Sequence, residues 1–129
     1  MARPSVGAIV VGLVLFGAAL SGCTGFPIPD DVATYEPDGP GGADAAMTGI
    51  LVREDGCTYV EDPASGLRTL PVFEAGSVMW SDDTLIVRNQ SYKVGDTVTF
   101  GGGGDGQGST LAIDVPDACD ASAGRWLVN

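Results

Sequence analysis

The chain of 129 residues has no histidine and only one lysine, Lys93. Without histidine it lacks the side chain most often used as a general base near neutral pH, and so lacks Ser-His-Asp and Cys-His arrangements. The G-x-S-x-G signature of a strained nucleophile turn and the D-x-[DN]-x-[DN]-G spacing of a calcium loop are also missing. No cofactor is implied. Basic residues number 6 against 17 acidic ones, a formal charge of −11. Nucleic-acid binding needs clustered Lys and Arg to displace counterions from phosphates, so this balance argues against DNA or RNA as a partner. No stretch after the first two dozen residues shows helical periodicity over a useful length.

Only one long apolar run is present. Val6 to Leu20 carry no charge, follow Arg3, and lead into Leu20-Ser21-Gly22-Cys23. A membrane-spanning helix needs about 20 apolar residues. This run is shorter, and Pro27 and Pro29 would stop its extension. A short positive start, an apolar middle and small residues at the end form the layout of a secretory signal. The last four residues resemble the lipobox of bacterial lipoproteins, although a single basic residue is a lean positive start for that family. The resemblance covers residues 1–23. It implies that residues 1–22 are a signal peptide, that cleavage occurs before Cys23, and that the Cys23 thiol carries a diacylglyceryl group. Two or more acyl chains bind a bilayer stably where one binds only marginally. The expected location is therefore the extracytoplasmic face of the cell membrane. A composition rich in Ala, Gly, Val and Asp also resembles that of proteins from high-GC actinobacteria.

Cleavage would leave 107 residues, with five basic residues against 17 acidic and a formal charge of −12. That length suits one small domain. Of the three cysteines, Cys57 and Cys119 would remain beside the anchor. In an oxidising compartment an even remainder predicts a disulfide, and two cysteines allow one pairing. A closed loop of this size stabilises by about 4 kcal/mol in the chain-entropy view. A thiolate metal site is the alternative, but neither histidine nor C-x-x-C is available to complete it.

Residues 23–46 contain Pro27, Pro29, Pro37 and Pro40, repeated glycine and aspartate, and little apolar content. They read as a lipidated, disordered acidic tether. From Met47 to Asn129 the pattern changes to short strand-forming runs separated by turn residues. Asp55-Gly56 between MTGILVR and CTYVE is a strong hairpin signal. Further runs fall at 69–73, 77–80, 84–88, 91–94, 97–100 and 126–128, and Leu111, Ile113 and Val115 alternate on one face. About seven strands at this spacing predict a mainly β fold, a small disulfide-stapled antiparallel barrel. The stretch from Tyr92 to Phe100, with Gly95-Asp96 at its corner, resembles turns of OB-like and SH3-like barrels.

The candidate sites are few. Trp80, Tyr92 and Trp126 are the aromatics best suited to stacking on a sugar or small ligand, although barrels this small more often place such residues in the core. Ser91 and Lys93 lie two apart on one run, the spacing a Ser-Lys dyad would need, but exposed strand residues have the same pattern. Gly101 to Gly108, GGGGDGQG, lacks the G-K-[ST] ending of a phosphate loop and reads as a mobile hairpin loop. No metal site is expected. The sequence thus points to a lipid-anchored, non-enzymatic binding or accessory module of the bacterial envelope. Its expected partners are the membrane, through Cys23, and an envelope protein or polysaccharide. A carbohydrate or small-ligand binder is the alternative.

Overall fold

A computed structural model describes residues 29–37, 44–104 and 112–129. Cys23 and the segment 1–22 lie outside the described residues, as do Leu111 and the second half of the glycine-rich stretch.

The described residues are all β, without helix, and form ten strands. These are β1 (Ala33–Tyr35), β2 (Ala45–Glu54), β3 (Cys57–Glu61), β4 (Arg68–Glu74) and β5 (Val78–Ser81). They are followed by β6 (Thr84–Val87), β7 (Gln90–Lys93), β8 (Thr97–Gly104), β9 (Ile113–Asp114) and β10 (Gly124–Val128). Turn chemistry places the breaks between them. Asp55 and Gly56, at φ 50° and 81°, form the two-residue loop between β2 and β3. Positive φ at both central residues matches the right-handed twist of the flanking strands. Asp82 and Arg88 also adopt positive φ, in the two tight turns joining β5 to β6 and β6 to β7.

Five strands close into a barrel in the order β2, β3, β4, β10, β8 and back to β2. All neighbours are antiparallel except β4 and β10, which run parallel through Thr69–Val72 and Gly124–Leu127. Counting only barrel strands, the first pairs with the fourth and the third with the fifth. Of the two barrel types the sequence suggests, this arrangement is the OB-like one. A separate three-stranded meander, β5-β6-β7, is inserted between the third and fourth barrel strands.

Closure demands close approach at two glycines. A Cβ on Gly49 would lie 2.6 Å from Val60 and 2.7 Å from the Glu61 carbonyl oxygen. On Gly102 it would overlap the Leu127 carbonyl oxygen, at 1.8 Å. Gly101 to Gly104 therefore belong to strand β8, paired with β2 and β10, and are not the loop that their composition suggests.

Strand alternation sorts the apolar residues into two layers. Leu51, Val60, Phe73, Val98, Phe100 and Val128 point into the barrel, and the meander adds Val78 and Leu85 to the same cluster. Phe100 meets the Phe73 and Tyr92 rings edge-on, at 5.3 and 5.4 Å. The opposite faces of β3, β4 and β10 carry Tyr59, Leu70, Val72 and Leu127. These form a second cluster with Ala33, Tyr35, Ile113, Val115 and the Cys57–Cys119 disulfide, whose Cα atoms are 5.1 Å apart.

Part of the stretch 23–46, expected from its composition to be a disordered tether, is instead folded. Val32 to Tyr35 are buried, and β1 pairs with β4 on one side and β9 on the other. Three residues cannot form a strand alone. They do so here because the β4 edge satisfies their backbone while Ala33 and Tyr35 cover the outer layer.

Candidate functional site

OB-like barrels bind ligands chiefly on the outer face of their second and third strands, flanked by adjoining loops. In this chain that face is built by β3 and β4 and is largely covered by the chain itself. Residues 112–123, which lead into β10, lie over it, pinned by the Cys57–Cys119 bond. The Tyr59 hydroxyl accepts a hydrogen bond from the Asp120 amide at 2.8 Å. On the same side, the Tyr35 hydroxyl donates to the Val128 carbonyl at 2.9 Å. Burial raises the Tyr35 pKa, the neighbouring Glu74 charge raises it further, and Arg88 partly offsets both.

At the far end of the β3–β4 hairpin the covering stops. There Tyr59, Leu67, Arg68, Asp120 and Ser122 line a shallow concavity of about 490 Å³. Leu67 is 70% exposed and projects from the turn. Arg68 is held by Glu54 at 2.6 Å and Glu61 at 2.9 Å, and its guanidinium lies 5.6 Å from the Tyr59 ring centroid. Its hydrogen bonds to Glu61 and then Glu54 raise its pKa further, so it is a fixed cation. The loops on either side are stiffened locally. Asp62 accepts from the Ala64 amide and the Ser65 hydroxyl, and Asp120 accepts from the Ser122 hydroxyl and amide. These bonds lower both carboxyl pKa values.

The three aromatics singled out from the sequence all pack against the barrel core. Trp80 stacks under Arg53, with the guanidinium 4.3 Å from its ring centroid, and its indole N–H donates to the Thr58 hydroxyl at 3.1 Å. Trp126 lies beside Gly102, and its buried indole nitrogen finds no hydrogen-bond partner among the described residues. Tyr92 also lines a concavity. It does so with Asn89, Gln90, Thr99 and Asn129, around about 330 Å³, and its hydroxyl donates to Gln90 at 2.6 Å. Ser91 and Lys93 are both exposed on β7.

A polar cluster that the sequence did not reveal holds the segment around Asp31 to the barrel. Arg53 donates through Nε to Asp31 at 2.7 Å, forms an ion pair with it through a second nitrogen, and reaches the Asp82 carbonyl at 3.0 Å. Thr58 donates to the Asp31 carbonyl at 2.9 Å. One arginine thereby joins the entering segment, the β2–β3 hairpin and the meander. The signal for it was present as Asp30-Asp31 before VATY, but partners 22 and 29 residues apart have no local signature.

A third concavity, of about 420 Å³, is lined by Asp30, Asp114 and Asp117 among others. Among the described residues no group of three or more Cys, Asp or Glu side chains is arranged to hold a metal ion. The chain matches no protein-family model, and no curated protein or solved structure shows significant similarity to it.

Proposed function

We propose that this chain is a lipid-anchored, exported protein of the bacterial cell envelope whose barrel acts as a non-enzymatic binding or accessory module. The observation that carries the reading is the Leu20-Ser21-Gly22-Cys23 lipobox ahead of a domain whose other two cysteines are bridged. Such a bridge suits an oxidising compartment outside the cytoplasm. Cys23 is the membrane anchor in this reading, and the protein stands on the extracytoplasmic face.

The binding role draws on the surface. The usual OB-like ligand face is occupied by the chain's own residues 112–123, which favours contact through an end of the barrel instead. The concavity around Leu67 and Tyr59 offers an exposed apolar side chain beside a fixed arginine, a combination suited to protein contact. The acidic excess favours a partner with a basic surface, because charge complementarity raises the encounter rate and discourages wrong partners. A polysaccharide partner is the second reading. It is favoured by the concavity where Tyr92 meets the amides of Asn89 and Gln90.

Crosslinking in intact cells tests the choice, using tagged full-length protein beside a Cys23→Ala version and mass spectrometry for both partners and lipid. Capture of one envelope protein by the wild type, weakened by Leu67→Asp and lost with Cys23→Ala, supports the protein-binding module. Lipidation without protein capture, together with retention on envelope polysaccharide that Tyr92→Ala abolishes, would replace it with the second reading.

A further inference from the structure

We propose that the cleft between the β5-β6-β7 meander and the barrel binds an uncharged, hydroxyl-rich ligand, the neutral sugar units of a saccharide chain. The proposal rests on the polysaccharide reading and deepens it by naming the ligand's chemistry and the residues that recognise it.

Charge narrows the ligand first. The chain carries 17 acidic residues against 6 basic ones, so anionic molecules are repelled over most of its surface. The concavity beside Pro29 is lined by Asp30, Asp114 and Asp117, and that beside Leu67 by Arg68 and Asp120. Among the described residues no acidic side chain lines the cleft. Its hydrogen-bonding groups include the amides of Asn89, Gln90 and Asn129 and the hydroxyls of Tyr92 and Thr99. Arg88, a charged side chain at its edge, already donates to Glu74 at 3.1 Å. A cation would find no side-chain carboxylate there, and an anion would meet the acidic excess of the whole chain. An uncharged polar ligand meets neither penalty.

Two sheets set the polar groups in place. The β6–β7 register pairs Val87 with Gln90 and Leu85 with Tyr92, which puts all four on the face turned to the barrel. Leu85 is fully buried and anchors that face, and the Tyr92 ring meets Phe100 edge-on at 5.4 Å. Gln90 and Tyr92 lie two apart on one strand, so their side chains are neighbours. The Tyr92 hydroxyl donates to the Gln90 carbonyl at 2.6 Å. That bond leaves the Gln90 amino group as a donor and the phenol oxygen as an acceptor. On the barrel side, alternation along β8 buries Val98 and Phe100 and exposes Thr99 and Gly101. The Asn129 amide donates to the Gly101 carbonyl at 3.1 Å, which carries the β8–β10 ladder up to the cleft. A Cβ on Gly101 would lie 3.3 Å from Asn129 Oδ1, so a side chain at 101 would crowd this wall. Phe100 and Val128 supply buried apolar surface beneath an exposed polar rim. A sugar ring is divided in the same way, with hydroxyls around its edge and C–H groups on its faces. Each hydroxyl both donates and accepts, which mixed amide and hydroxyl partners beside a half-buried aromatic ring can match.

The test titrates the full-length protein, in a detergent without a sugar headgroup, against two sets of oligosaccharides by calorimetry. The neutral set is gluco-, manno- and galacto-oligosaccharides of increasing length. The charged set is oligogalacturonates and chitosan oligomers. Binding to a neutral oligosaccharide should change little with salt, because no charge pairing is screened. It should fall about tenfold in Gln90→Ala, which removes the amide held by Tyr92. Gly101→Val adds bulk to the barrel wall at a backbone position outside the left-handed region and should abolish binding. Ser91→Ala, on the opposite face of β7, should leave it unchanged. An unaltered thermal midpoint confirms the fold of each variant, and Gln90 is exposed, so its replacement is the safer of the two. Neutral-sugar binding that neither Gln90→Ala nor Gly101→Val weakens overturns the site. Preference for the charged set overturns the ligand's chemistry and leaves the polysaccharide reading standing. Binding to neither set overturns both this proposal and that reading.

Discussion

The two apolar layers of this domain are made from the same strands and held by different means. Inside the barrel, Leu51, Val60, Phe73, Val98 and Phe100 sit on long ladders that close on themselves. Outside it, Tyr59, Leu70 and Val72 are covered by β1, of three residues, and β9, of two. So few backbone hydrogen bonds cannot hold a covering layer by themselves. The Cys57–Cys119 bond supplies the missing constraint, joining the start of β3 to the connection that crosses it across 62 residues of sequence. Closed ladders let a small barrel depend on packing, whereas a layer of loop and short strand needs a covalent tie.

The sharpest way to break this comparison is to attack each layer alone. Phe73→Ala removes a fully buried ring from the interior and should cost about 3–5 kcal/mol, read as a lowered denaturant midpoint with the bridge intact. Removing the bridge as Cys57→Ala with Cys119→Ala should cost about 2–5 kcal/mol. Its distinguishing mark is local. Hydrogen exchange should rise at residues 33–35 and 112–123 well before it rises in β2 and β8, and a uniform rise would show that the layers are one unit.

Smaller effects sharpen the boundary between the layers. Tyr35→Phe leaves the Val128 carbonyl without its donor and should cost about 1 kcal/mol in denaturant titrations. It should also loosen β1 more than β10. The weakest expected effect concerns pH. The folded-state carboxyl groups of Asp62 and Asp120 titrate below their ordinary range because Ala64, Ser65 and Ser122 donate to them. Their contribution is complete above the unfolded value, about 3.9 for aspartate, and is lost as pH falls through the lowered folded values. Acidification below about pH 4 should therefore loosen the 62–67 and 120–123 turns, and Asp120→Asn should flatten that dependence at the second turn. Amide chemical shifts of Ala64 and Ser122 would follow it.

Much of the strand pattern was legible because its causes are local. Asp55-Gly56, Asp82-Asp83 and Gly95-Asp96 mark turns by their own backbone preferences, and the runs between them became β2 to β8. The bridge was legible by counting. The candidate site was much less so. Trp80 and Trp126 had the composition of a recognition surface but lie half-buried against the core, Trp80 because the meander folds onto the barrel and Trp126 because β10 closes it, through contacts that no local pattern encodes. Gly101 to Gly104 looked like loop and became strand, and the missing Cβ of Gly102 is what lets β8 pass close to β10. Leu67 and Arg68 drew no attention in a turn-rich stretch, since exposure and ion pairing with Glu54 and Glu61 depend on where β2 and β3 lie.

The sequence by itself determined where this chain turns, which cysteines could pair, and how acidic it is, and it carries the Leu20–Cys23 resemblance to a lipobox on which its proposed address rests. Each of these is set by residue type, count or near-neighbour spacing. Only the tertiary structure decided that β4 and β10 run parallel, that the barrel covers its own usual binding face, and that residues well ahead of Met47, Val32 to Tyr35, belong to the fold. Those outcomes depend on contacts between residues tens of positions apart. A three-residue strand such as β1 is unstable alone and gains its burial only from a partner edge that folding has already put in place.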